Sequence, residues 1–157
     1  KIIPARLLFA GMVLSMLPDA DVLSFKLGVA YANEFGHRGF THSLLFAFFV
    51  PIVCLLGTRW FRASILRVWS FLTVSLLSHS LLDSVTTGGM GVGWLWPWSD
   101  ERFFAPWQVI KVAPFALSRY LTPSGFAVIY SELQWVWLHG FVFIGVLFLI
   151  RKIGMLR

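Results

Sequence analysis

Four long apolar stretches divide the chain, running from about Ile2 to Leu17, Thr41 to Gly57, Ile65 to Val85 and Leu133 to Ile150. Their lengths approach the roughly 20 residues a helix needs to cross the hydrocarbon, with the first two slightly short. Pro4 and Arg6 interrupt the first only near its start, and Pro18 marks its end, because the residue before a proline is pushed out of helical geometry. Alternation with a period of two is absent, so the pattern predicts spanning helices rather than barrel strands. The third stretch carries Ser70, Thr73, Ser75, Ser78, His79, Ser80 and Asp83. Such groups are costly against lipid, which places this helix inside a bundle. The expected fold is all-α: a polytopic transmembrane helical bundle, one integral membrane domain over residues 1–157, with 86–132 as an outer segment.

Composition agrees. Charged residues make up 13% and apolar residues 58% of the 157 positions, where a soluble domain carries about 25% charged residues. The formal charge of +6 does not point to nucleic acid, since the basic residues form small groups beside apolar spans instead of a stripe interleaved with aromatics. Arg59, Arg62 and Arg67 crowd one short connection, and Arg151, Lys152 and Arg157 follow the last stretch. Two spans separate these groups, so both fit the cytoplasmic side, together with Lys1 and Arg6. The 18–40 connection and the 84–132 segment then face outward. Trp60 and Trp69 at one side, and Trp135 and Trp137 at the other, fit interfacial belts. Cys54 is the only cysteine, which excludes an intrachain disulfide and thiolate-based zinc sites. The chain begins at Lys1 with no signal-peptide arrangement, and upstream residues are expected.

The polar residues are concentrated. Asp, Glu and His number 11 (7 acidic, 4 His), and Asp19, Asp21, His37, His42, His79 and Asp83 all sit in three motifs at or beside the ends of apolar stretches. The motifs are Leu17-Pro18-Asp19-Ala20-Asp21, His37-Arg38-Gly39-Phe40-Thr41-His42 and His79-Ser80-Leu81-Leu82-Asp83. Under the topology above all three converge on one membrane face. Asp19 and Asp21, in an extended or turning stretch after Pro18, can point the same way; helix capping by Asp19 is the alternative. Gly39 permits a turn that brings His37 and His42 together, with Thr41 as an N-cap. His79 and Asp83 share a helix face one turn apart, as a mutual hydrogen bond or as metal ligands. Together they offer carboxylates and imidazoles without sulfur, a hard-to-borderline donor set for a divalent ion, in an inventory that would suit two metals. His139, mid-span, is expected to pack or hydrogen bond rather than ligate. Arg38 and Arg102 are the candidate anion partners. Arg102 lies in a segment with Trp94, Trp96, Trp98 and Trp107, where interfacial anchoring is the alternative to holding a phosphate.

The order of these motifs, followed by Trp96-Pro97-Trp98-Ser99 and Phe103, resembles the membrane-bound, LexA-regulated metal-dependent hydrolases (YdjM-like) over about Leu17 to Pro106. His37-Arg38-Gly39-Phe40-Thr41-His42-Ser43 is the most specific stretch. The resemblance implies an integral protein of the bacterial inner membrane with Asp19, His37, His42, His79 and Asp83 as metal ligands and Asp21 as a further candidate. It also implies a distant relation to zinc-dependent phospholipase C and P1 nuclease-like enzymes, with zinc as the metal, and a further N-terminal helix bearing a histidine.

The expected function is hydrolysis of a phosphoester, lipid or small molecule, by metal-activated water at the outer face. Asp21, or Asp19 if not committed to metal, would accept the proton, and Arg38 or Arg102 would stabilise negative charge. The rival expectations are a metal-ion transporter or sensor and a non-catalytic structural membrane protein. Transport is disfavoured because the second stretch offers no polar path inward. Membrane lipid is the expected partner and nucleic acid is not; the sequence leaves the oligomeric state open.

Overall fold

The computed structural model describes residues 3–154, so the expectations resting on Lys1, Ile2 and Arg157 lie outside the described residues. Its helices are α1 (Ala5–Met16), α2 (Leu44–Cys54), α3 (Thr58–Phe61), α4 (Ile65–Ser84), α5 (Pro123–Glu132) and α6 (Leu138–Gly154), with a long 3-10 helix over Pro18–Leu27. Among the described residues there are no named strands, only isolated bridge pairs. The protein is an all-α membrane protein. Three helical runs are long and apolar enough to cross a bilayer: Leu44–Phe61, Ile65–Ser84 and Pro123–Gly154. Ala5–Met16 with Pro18–Leu27, bent by 40°, makes a fourth if taken as one span.

The chain forms two compact units. The first comprises residues 1–85 and 90–106, the second residues 86–89 and 107–157. In the first unit α4 is the shared packing partner of α1 and α2. Leu7, Phe61, Val68 and Leu72 form a buried cluster, with Ala10, Leu14, Cys54 and Phe71 packed against it. Gly11 lets α1 approach closely, since a Cβ there would lie 2.5 Å from the Phe71 ring and 2.9 Å from Ser75 Oγ. The outer faces stay apolar, with Phe49, Leu56, Leu66, Val74 and Leu81 all exposed, as suits a surface against lipid. Several α4 hydroxyls bond backward along the helix. Ser75 donates to Phe71 O at 2.9 Å and Ser78 to Ser75 O at 2.8 Å, which removes the cost of a bare hydroxyl in hydrocarbon.

In the second unit the last helix starts earlier than the apolar pattern suggests. Thr122 accepts from Gly125 N and Pro123 sits at the first helical position, a start signal for which a missing N–H costs nothing. A π-turn over Leu133–Trp137 joins α5 to α6, so the helix extends ten residues upstream of Leu133.

Candidate metal centre

The site is built where α1 and α4 end and α2 begins, at the opposite end of the first unit from Arg59, Arg62 and Arg67. Pro18 ends α1 and opens the 3-10 helix that carries Asp19 and Asp21. Of the extended or turning stretch expected after Pro18, the structure shows the turning form, a tight 3-10 helix. Asp19 is exposed and Asp21 is 7% exposed, yet the two still offer carboxylate oxygens within 4.8 Å of each other. The His37–Ser43 loop is held by Gly39, where a Cβ would collide with the Glu34 carbonyl. The N-cap of α2 is Ser43, which accepts from Phe46 N at 3.1 Å, not Thr41. α2 begins at Leu44, so the cap falls on Ser43; Thr41 lies in the 3-10 turn Phe40–His42 before it, where its hydroxyl donates to Asp21 Oδ2 at 2.7 Å.

Four side-chain atoms converge. His42 Nε2 lies 3.1 Å from Asp83 Oδ2 and 3.8 Å from Asp19 Oδ1. His79 Nε2 lies 3.3 Å from Asp19 Oδ1 and 3.8 Å from Asp83 Oδ2. Asp19, His42, His79 and Asp83 thus offer one ligand atom each, all within 4.8 Å of one another. His42 is fully buried, and neither its Nε2 nor that of His79 makes a hydrogen bond. Buried ring nitrogens left in this way are costly, and two of them aimed at the same two carboxylates fit a cation.

His37 lies in a second, overlapping trio with Asp19 and Asp21. Its Nδ1 is 2.6 Å from Asp21 Oδ1, and its ring meets Tyr31 edge-on at 5.3 Å. Asp21 is the hub beneath both histidines. Besides His37 and Thr41 it accepts from Arg38 N at 3.0 Å, and His42 Nδ1 stands 3.3 Å away. A carboxylate against the far nitrogen of a ligating imidazole fixes its tautomer and raises its basicity. Burial pushes the His42 pKa down, but the Asp21 and Asp83 carboxylates beside it outweigh burial, and the net shift is upward.

Both arginines are engaged by protein acceptors. Arg38 adopts a left-handed backbone at φ 64° and forks onto Asp83, with Nη2 3.1 Å from Oδ1 and Nε 3.0 Å from Oδ2. Arg102 donates to His37 O at 3.1 Å and Asn33 O at 2.8 Å, clamping the loop that carries His37. Next to it opens a cleft of about 240 Å³, bordered by Asn33, Glu34, Trp96, Ser99 and Asp100 among others. His139 is remote in character, stacked on Trp135 at 5.6 Å, with Nδ1 3.1 Å from Gln134 O. The contacts of Thr41 with Asp21 and of Tyr31 with His37 are visible only in the fold. Thr41 lies inside the most specific motif, which was the available signal; nothing in the local pattern marks Tyr31.

Compared with known proteins, residues 1–155 match the family described as YdjM inner membrane protein. The chain is 75% identical over 153 residues to the inner membrane protein YbcI of Escherichia coli (strain K12), covering 97% of this chain and 88% of that one. It is 34% identical over 106 residues to the inner membrane protein YdjM of the same organism, and to YdjM of Shigella flexneri, covering 62% of this chain and 52% of each relative. No solved structure matches.

Proposed function

The chain belongs to the YdjM family of inner membrane proteins, and from that premise we propose that it is a membrane-embedded, metal-dependent hydrolase acting on a phosphoester. It is an inner membrane protein with several apolar spans. The observation that carries the proposal is the convergence of His42 Nε2 and His79 Nε2, both without hydrogen bonds, on Asp19 and Asp83. Two imidazoles and two carboxylates form a donor set suited to zinc or another borderline divalent ion. When bound, such an ion lowers the pKa of water and polarises a phosphoryl oxygen.

The chain's own residues divide the remaining work. Asp21 orients His42 and His37 from behind, with both its oxygens engaged by protein donors. Asp19, its side chain 54% exposed, is the ligand nearest to solvent and the residue placed to receive a proton. Arg102 holds the loop in place, and a phosphoester in the neighbouring cleft would meet its remaining guanidinium edge. The site faces outward in this reading, because the exposed arginines Arg59, Arg62 and Arg67 mark the opposite, cytoplasmic end. Kinship with zinc-dependent phospholipase C and P1 nuclease-like enzymes, and LexA regulation, belong to the same proposal and rest on motif order over 17–106.

The test is chelator-sensitive release of product from a panel of membrane phospholipids and lipid phosphates, using full-length protein beside His79→Ala. Stoichiometric metal with no product across the panel would leave a metal-binding structural protein. Equal metal content in both proteins would remove the centre itself.

A further inference from the structure

Three carboxylates surround His42, and the Arg38 guanidinium lies against one of them, Asp83. Arg38 is 3% exposed, and it grips Asp83 through Nε and Nη2 at 3.0 and 3.1 Å. Its backbone is equally committed. The N–H donates to Asp21 Oδ2 at 3.0 Å, the carbonyl accepts from Gly93 N at 2.8 Å, and φ is 64°. A bulky residue is held in a left-handed conformation only where its surroundings over-determine it. This side chain is a fixed charge of the site.

The charge balance follows from these contacts. With neutral imidazoles, Asp19, Asp21 and Asp83 against Arg38 leave two negative charges, which one divalent ion cancels. A second divalent ion would leave two positive charges in a largely buried place, where uncompensated charge is strongly disfavoured. It would also need carboxylate edges that are taken. Both Asp21 oxygens already accept from protein donors, and Arg38 Nη2 holds Asp83 Oδ1, leaving Oδ2, itself 3.0 Å from Arg38 Nε, as the oxygen toward the imidazoles.

We propose that Arg38 serves as a built-in second cation: it limits Asp83 to one oxygen toward the two imidazoles and holds the centre to one divalent ion per chain. This rests on the metal-centre reading above and departs from the two-metal inventory that the motifs suggest. Arg38 is thereby a positioning residue.

The experiment strips detergent-purified protein with chelator, reloads it with Co²⁺, counts ions after desalting and records the visible absorption band. Wild type should hold one Co²⁺ per chain with the intense band of a four-coordinate ion. Arg38→Gln should take up a second equivalent, and the band of the first should weaken as Asp83 turns both oxygens inward. Arg38→Lys, which keeps the charge, should remain at one. Two ions in wild type would overturn the proposal, and that count does not depend on any variant folding. So would Arg38→Gln holding one ion with an unchanged band, or holding none while Arg38→Lys holds one. A wild type that retains no more ion than His42→Ala would instead refute the metal centre, a distinguishable result.

Discussion

The two ends of the α1–α2–α4 bundle use the same helices and opposite physics. At the arginine end, Leu7, Phe61, Val68 and Leu72 pack into a dry cluster, while Arg6 spans outward to Trp60, 5.2 Å over its ring and 3.3 Å from its carbonyl. At the other end the fully buried side chains include His42 and Ser80, and carboxylate–imidazole and carboxylate–guanidinium contacts take over from apolar packing. The apolar end is non-directional, so it tolerates neighbours of similar volume. The polar end depends on each partner being present, because a buried ionic group left alone costs more than the pair gained. Stability and chemistry are thus separated by about four helical turns of α4, from Val68 to Asp83.

This division can be broken by substitution. The largest effect is expected for Asp83→Ala, which removes a ligand and strands the Arg38 charge. Metal analysis should show the ion lost, and thermal unfolding should show a loss of about 3–5 kcal/mol. Retained metal would merge the two ends into one structural core. Next, Leu72→Ala should lower stability by about 2–5 kcal/mol through its cavity and leave the metal count unchanged in the folded fraction. Asp21→Asn, which keeps shape and loses charge behind His42, should weaken metal affinity on the order of 10–100-fold by competition titration. Lowering pH should act in the same direction. A metal-bound His42 must shed its proton, and its pKa is raised. Proton competition therefore begins above the ordinary histidine range and costs about tenfold in affinity per pH unit below that pKa. The smallest effect is expected for His139→Ala, with metal content and affinity unchanged.

Much of the chemistry was legible because it depends on residue type. Asp19, His42, His79 and Asp83 stand out as ionisable groups at the ends of apolar stretches, and a helix places His79 and Asp83 on one face whatever surrounds it. Local detail was less legible. The Pro18–Leu27 segment reads as an extended or turning stretch after its proline, and it coils into a 3-10 helix that buries Asp21 and leaves Asp19 exposed while their oxygens stay within 4.8 Å. Ser43 takes the cap assigned to Thr41, since α2 begins at Leu44 and Thr41 lies one 3-10 turn before it, in Phe40–His42.

The sequence by itself determined the membrane class, the all-α architecture and the identity of the polar groups, because hydrophobic length and backbone hydrogen bonding in lipid leave few alternatives. The tertiary structure decided what each polar group faces. Asp21 is placed behind the histidines, Arg38 along Asp83, and Arg102 against the carbonyls of Asn33 and His37. Those pairings join residues 16 to 69 positions apart. They exist only because helix ends and loops meet in space, which no local pattern encodes.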